Sequence, residues 1–148
     1  MKVKTISFFL AFTLLVINVF GQVREIPNEV KETFNRQYSG AENIRFEDNI
    51  VNVQVHFTLN GENMVASYYN KGRWTGTEKE WTFEQLSEEV KSGFEKSKYA
   101  DWKILDTKVI YRPGGTERYK IKVEKNELQK KNLFFNKNGR LVDDSITI

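Results

Sequence analysis

His56 is the only histidine in the chain and there is no cysteine, so the inventory for catalysis is short before any element is placed. A Ser-His-Asp or Cys-His hydrolase needs a base beside a nucleophile. His56 falls in the alternating segment from Val51 to Leu59, the chain has no Gly-x-Ser-x-Gly elbow, and there is no thiol to activate. Carboxylates are more plentiful. Glu78 and Glu80 stand two apart and Asp143-Asp144 are adjacent, but paired acids act as acid and base only when held a few ångströms apart with their pKa values driven apart. Neither spacing supplies that. No run of oxygen ligands surrounds Asp143-Asp144 as in a calcium loop, and Gly114-Gly115 follows Pro113 as a turn rather than as a phosphate cradle. The residues point away from an enzyme, with no metal and no cofactor implied.

Binding chemistry is better represented. Tyr68 and Tyr69 are consecutive, as are Phe134 and Phe135. On a strand, neighbours point to opposite faces, so at most one of each pair belongs fully to a core. The other needs different cover or lies open, and open aromatics anchor protein interfaces. Tyr68, Tyr69, Trp74, His56 and Phe134 are the candidate partner-binding residues. A second feature is basic: between 118 and 140, eight Lys and Arg residues face only Glu124 and Glu127. Lys120, Lys122, Lys130 and Lys131 form its centre, a patch suited to an anionic partner such as an acidic protein surface, lipopolysaccharide or an acidic glycan. The structural alternative is that Lys120 and Lys122 are the outward side of the Tyr119, Ile121, Val123 strand, where lysine also discourages edge-to-edge aggregation.

The elements that must position these residues follow from periodicity. Ile26, Val30, Phe34 and Tyr38 recur every four residues, which predicts a helix over 27–38 opened by Pro27 and closed at Ser39-Gly40. The period then changes to two. Val51, Val53, Val55, Phe57 and Leu59 predict a half-buried strand, Asn60-Gly61 a hairpin turn, and 64–70 and 73–78 the returning strands, with 43–47 before them. Thr82 and Gln85 form a capping box that opens a second helix carrying Phe83, Leu86, Val90 and Phe94. Gly93 costs that helix roughly 1 kcal/mol relative to alanine, a sign of close packing. Strands are expected near 102–111, 118–124, 128–136 and 140–148.

Part of this series is written twice. Ile26 to Phe34 returns as Leu86 to Phe94, and Tyr68-Tyr69-Asn70-Lys71-Gly72-Arg73 as Phe134-Phe135-Asn136-Lys137-Asn138-Gly139-Arg140. Two matches in the same order argue for a duplicated module. The expected class is α+β: a tandem duplicated helix-plus-four-strand antiparallel meander, about 24–81 and 82–148, with two helices packed on one sheet.

At the amino end, Lys2 and Lys4 precede an apolar run from Ile6 to Phe20, then Gly21 and polar residues. That order predicts a signal peptide over 1–21, too short in its apolar part for the roughly 20 residues of a membrane span. Cleavage near Gly21 would leave 22–148 as one periplasmic or secreted domain. It removes two lysines and no acid from a total of 23 basic and 20 acidic residues, leaving a nearly neutral chain with no case for nucleic acid. Without cysteine, no disulfide holds the exported fold. Packing must, and aromatics at 14% supply large burial per residue.

The patterns Ile26-Pro27-x-x-Val30-x-x-x-Phe34-x-x-x-Tyr38-x-Gly40-Ala41 and Tyr69-x-x-x-Arg73-Trp74-x-x-Thr77-Glu78 resemble the PepSY-like family of small exported proteins of Bacteroidetes-type bacteria, also described as β-lactamase-inhibitor-like. The resemblance spans most of 24–148. It implies an exported, non-enzymatic module that binds or inhibits another protein, since the wider superfamily includes propeptides of thermolysin-type peptidases and the β-lactamase inhibitor protein. Ser39 and Ser87 stand where many relatives have proline. The other function class left open is a small-ligand or envelope-sensing module with an apolar cleft between helices and sheet.

Overall fold

A computed structural model describes residues 24–147; the expected signal peptide lies outside the described residues. The first helix, α1 (Asn28–Gln37), starts where the Pro27 carbonyl accepts the Val30 and Lys31 amides at 3.1 and 3.3 Å. Proline supplies the fixed φ and needs no hydrogen bond of its own. Val30 and Phe34, one turn apart, are its buried residues. Four strands follow: β1 (Glu42–Asp48), β2 (Asn52–Leu59), β3 (Glu62–Tyr69) and β4 (Trp74–Trp81). Asn60 and Gly61 both take positive φ, +53° and +80°, as the two-residue turn between β2 and β3 requires.

A single 3-10 turn over Phe83–Gln85 and the short helix α2 (Glu88–Glu95) lead into β5 (Lys103–Arg112), β6 (Thr116–Asn126), β7 (Gln129–Phe135) and β8 (Leu141–Thr147). All eight strands belong to one antiparallel sheet in the order β1 to β8.

The α+β tandem expected from the sequence is corrected by this sheet. The molecule is mostly β, one continuous eight-stranded meander with only two short helices, of 10 and 8 residues. The sheet has no seam where one unit could end, because β4 pairs with β5 from Thr77–Tyr111 to Trp81–Thr107. The second helical segment is also shorter than its apolar stripe suggests. The Thr82 amide does donate to Gln85 Oε1 at 2.8 Å, but Leu86 is extended at φ −65°, ψ 151° and stops that turn. The helix begins only after Ser87, whose hydroxyl caps the Val90 amide.

Both helices lie against the same side of the sheet. Val30 and Phe34 pack with Val53, Val55, Phe57, Ala66 and Tyr68, and Phe34 meets Phe57 edge-on at 5.0 Å between ring centroids. Val90 and Phe94 pack with Tyr119, Ile121, Val123, Leu133 and Phe135. Each helix also touches a sheet turn backbone to backbone. A Cβ on Gly72, in the β3–β4 turn, would fall 2.6 Å from the Glu29 carbonyl oxygen, and one on Gly139, in the β7–β8 turn, would fall inside the Glu89 carbonyl. Antiparallel sheets tolerate one covered face and one face in water. Here no element of the described chain crosses the second face.

Candidate functional site

The open face is assembled by strand alternation. On β2 the inward residues Val53, Val55 and Phe57 leave Gln54, His56 and Thr58 outward. Register then carries the open face across the sheet: His56 lies opposite Val65, Val65 opposite Glu78, Glu78 opposite Ile110, and Ile110 opposite Arg118. One step along, Glu80, Lys108, Lys120, Phe134 and Asp143 form the neighbouring row. The face is polar and charged with apolar residues set among it.

The consecutive aromatics divide between the faces. Tyr68 is fully buried on the helix side, its hydroxyl donating to Gln37 Oε1 at 3.0 Å, and burial pushes its phenol well above the ordinary range. Tyr69 is 41% exposed on the open side, with the Arg73 guanidinium 4.3 Å from its ring centroid. Phe135 is fully buried and Phe134 lies on the open face. Tyr68 therefore leaves the list of candidate contact residues.

Trp74 leaves it as well. A bulge between Ser67 and Tyr68 brings Trp74 opposite Tyr68, so this even-numbered residue joins the odd-numbered helix-side residues of β4. It packs on the core around Phe34, and its indole N–H donates to Thr77 Oγ1 at 2.9 Å. Thr77 also shares a short hydrogen bond with the Tyr38 hydroxyl.

His56 is on the open face, where its Nε2 lies 3.3 Å from Glu47 Oε2, off hydrogen-bond geometry. Glu47 also accepts Arg45 at 3.1 Å. A histidine beside a carboxylate is half of a catalytic arrangement, and what completes it is a hydroxyl or thiol in hydrogen-bond reach of the ring. The described residues place none there. A hollow of about 310 Å³ beside His56 is lined by Asn43, Thr58, Asn63, Val65 and Glu78 among others. It is shallow and opens to solvent.

Of the carboxylate pairs singled out in the sequence, Glu78 and Glu80 share the open face in neighbouring rows, whereas Asp143 and Asp144 come apart. Asp143 is outward next to Phe134, while Asp144 is on the helix side, accepting Lys131 Nζ at 2.5 Å and the Tyr99 hydroxyl at 2.8 Å. The Lys131 and Tyr99 donors hold the Asp144 carboxyl below its ordinary 3.8. A depressed folded value contributes stability above the ordinary carboxylate range and loses it as pH falls through the folded value. Melting temperature should therefore fall on acidification below about pH 4, and the fall should be shallower in Asp144→Asn. An unchanged acid slope in that variant would remove Asp144 from the stabilising set.

The basic patch is also divided. Lys120 lies 3.6 Å and Lys108 3.3 Å from Glu78, Lys130 lies 3.3 Å from Glu124, and Lys131 is committed to Asp144 on the other side of the sheet. Lys122 stands opposite Asp106 and Asn132 in register. Two arginines away from its centre, Arg118 at its edge and Arg112 outside it, come together instead. Arg112, not singled out in the sequence, and Arg118 line a hollow of about 170 Å³ with Phe134, Val142 and Asp143. Arg112 alternates with Ile110 and Lys108, and this was the signal that could have found it.

No family model matches the chain, and no curated protein matches it. Solved structures do. A DUF2874 family protein from Bacteroides ovatus aligns at a TM-score of 0.77 with 22% identity, over 83% of this chain and 89% of that one. A BLIP-like protein from Bacteroides fragilis aligns at 0.77 with 20% identity, over 85% and 89%. A third, from Bacteroides eggerthii and provisionally described as periplasmic, aligns at 0.75 with 18% identity, over 83% and 90%. The chain shares the fold of these proteins, one of which is described as BLIP-like. The PepSY-like family itself is not shown by them.

Proposed function

We propose that this protein is an exported, non-enzymatic module that binds another protein through the open face of its sheet, and that it acts by covering a functional surface of that partner. The observation that carries the reading is the face itself. Eight strands present one side to solvent, and the aromatic residues Tyr69 and Phe134 stand on it among arginines. Aromatics and arginine are enriched in the cores of protein interfaces, and a rigid sheet holds them in place before binding, which limits the ordering cost. The periplasmic placement is supported by the charge and apolar pattern of residues 1–21 and by the description of the Bacteroides eggerthii neighbour. The BLIP-like neighbour supports the idea that the partner is an enzyme.

The test is affinity capture from envelope extract of the native organism with tagged wild type, Tyr69→Ala and Phe134→Ala. Both positions are on the open side, so the variants should keep the wild-type melting temperature within a few degrees. A partner held by wild type and reduced at least tenfold by either variant is the expected result. Identical captured material for all three proteins would overturn the reading. Addition of the protein to the captured partner, if that partner has an assayable activity, should lower the activity in proportion to occupancy.

A further inference from the structure

The open face is not uniformly charged once its internal ion pairs are taken out. Through its middle most of the bases are answered by acids, Lys108 and Lys120 by Glu78, Lys130 by Glu124 and Arg45 by Glu47, while Lys122 stands opposite Asp106 and Asn132 in register without an ion pair among the described residues. At the end beside the β3–β4, β5–β6 and β7–β8 turns the pattern changes. Arg73, Arg112 and Arg118 form no ion pair and donate no side-chain hydrogen bond among the described residues.

The acids that could answer them are placed otherwise. Glu117 accepts the Tyr119 hydroxyl at 2.8 Å, Glu78 is shared by two lysines, and Asp143 lines the same hollow as Arg112 and Arg118 without bridging either. Arg112 and Arg118 are diagonal neighbours on one face, since Arg112 pairs with Thr116 and Ile110 with Arg118. The stem of Arg112 lies over Gly76, where a Cβ would be 3.8 Å from its Cγ. The absence of a side chain at Gly76 makes part of a second hollow, of about 200 Å³, lined by Ser67, Thr75, Gly76, Glu78, Ile110 and Arg112. Arg112 thus stands between two small hollows with its guanidinium uncommitted.

We infer that this end of the open face recognises an acidic segment of the protein partner, with Arg112 and Arg118 each taking a side-chain carboxylate and Tyr69 and Phe134 supplying apolar contact on either side. The inference rests on the protein-binding reading above and adds the partner's chemistry to it. A guanidinium presents a planar fork that matches a carboxylate with two hydrogen bonds, which an ammonium does not. Three arginines beside two aromatics fit an extended acidic peptide better than a general cationic attraction, which the self-paired lysines cannot supply.

Direct binding to a labelled ten-residue polyglutamate peptide tests it, with polygalacturonate of matched charge as the glycan comparison and the purified protein at low and moderate salt. Polyglutamate should bind, should bind more tightly than polygalacturonate, and should weaken about tenfold in each of Arg112→Gln and Arg118→Gln. Arg112→Lys, which keeps the charge and loses the fork, should also weaken it. Lys130→Gln removes one positive charge from a paired site and should change binding less than twofold. Loss of binding in Lys130→Gln equal to that in Arg112→Gln, equal or tighter binding of polygalacturonate, or no binding of polyglutamate would each overturn the inference. The capture experiment separates this outcome from failure of the underlying reading. A partner that is lost with Tyr69→Ala and Phe134→Ala yet retained in full by the Arg112→Gln/Arg118→Gln double variant leaves the binding face standing and removes the acidic segment. No face-dependent partner together with no polyglutamate binding removes both.

Discussion

Gly93→Ala should destabilise this protein, although alanine is the better helix former. Helix propensity alone favours the substitution by about 1 kcal/mol, and Gly93 lies inside α2. Packing reverses the sign. A Cβ at Gly93 would fall inside the Gly139 carbonyl, far within the 3.0 Å that real Cβ atoms keep, and the neighbouring atom is backbone that cannot rotate away. Gly139→Ala meets the reciprocal obstruction at the Glu89 carbonyl and adds a left-handed φ of +75°, which costs a non-glycine residue about 1–2 kcal/mol.

Either change must lift α2 from the β7–β8 turn, loosening Val90 and Phe94 from Leu133 and Phe135. The expected loss is about 3 kcal/mol or more for Gly139→Ala and about 2 kcal/mol for Gly93→Ala, from overpacking of 1–3 kcal/mol and the conformational terms above. Gly40→Ala is the control. It has φ +89° and open space around its Cβ position, so it should lose only the left-handed cost. Denaturant midpoints for the three variants decide the matter: if Gly93→Ala matches or exceeds wild type, the backbone contact is not what holds α2.

That contact was partly legible. An unpaired glycine in an otherwise good amphipathic helix marks close approach, although its neighbour, Gly139, is 46 residues away and only the fold supplies it. Strand alternation was legible for the same local reason: Val53, Val55 and Phe57 are inward, and consecutive Tyr68 and Tyr69 separate to opposite sides. What alternation does not carry is the bulge. One appears between Ser67 and Tyr68, another between Ile104 and Asp106, another between Phe134 and Phe135, and each shifts which residues share a face; only the first has a glycine beside it, Gly76 inside β4, and the other two carry no proline or glycine signature that fixes their position. The class was misread because α2 looks longer in sequence than it is. A true capping interaction at Thr82 closes one turn and is then broken by extended Leu86. The site suffered from a different gap: ion pairing across strands depends on register, so three of the four clustered lysines, Lys120, Lys130 and Lys131, became separate pairs, and the uncommitted arginines were visible only after those pairs were assigned.

Trp74→Ala should then lower stability rather than only weaken a complex, because Trp74 sits on the helix side. Full truncation of a buried tryptophan costs about 3–5 kcal/mol, and this residue is half-buried, so about 2–3 kcal/mol is expected, or a fall of roughly 10 °C in melting temperature. The loss has two parts. The ring leaves the edge of the core around Phe34, and Thr77, only 1% exposed, loses the indole donor and retains the Tyr38 hydroxyl. Trp74→Phe separates them by keeping the ring and deleting the N–H. It should recover more than half of the loss, since a neutral hydrogen bond contributes about 1 kcal/mol. On the open face the same comparison runs the other way: Tyr69→Ala should leave the melting temperature nearly unchanged while reducing capture of the partner. If Trp74→Ala melts with wild type and Tyr69→Ala does not, the assignment of the two faces is inverted, and the binding surface must be sought beside the helices.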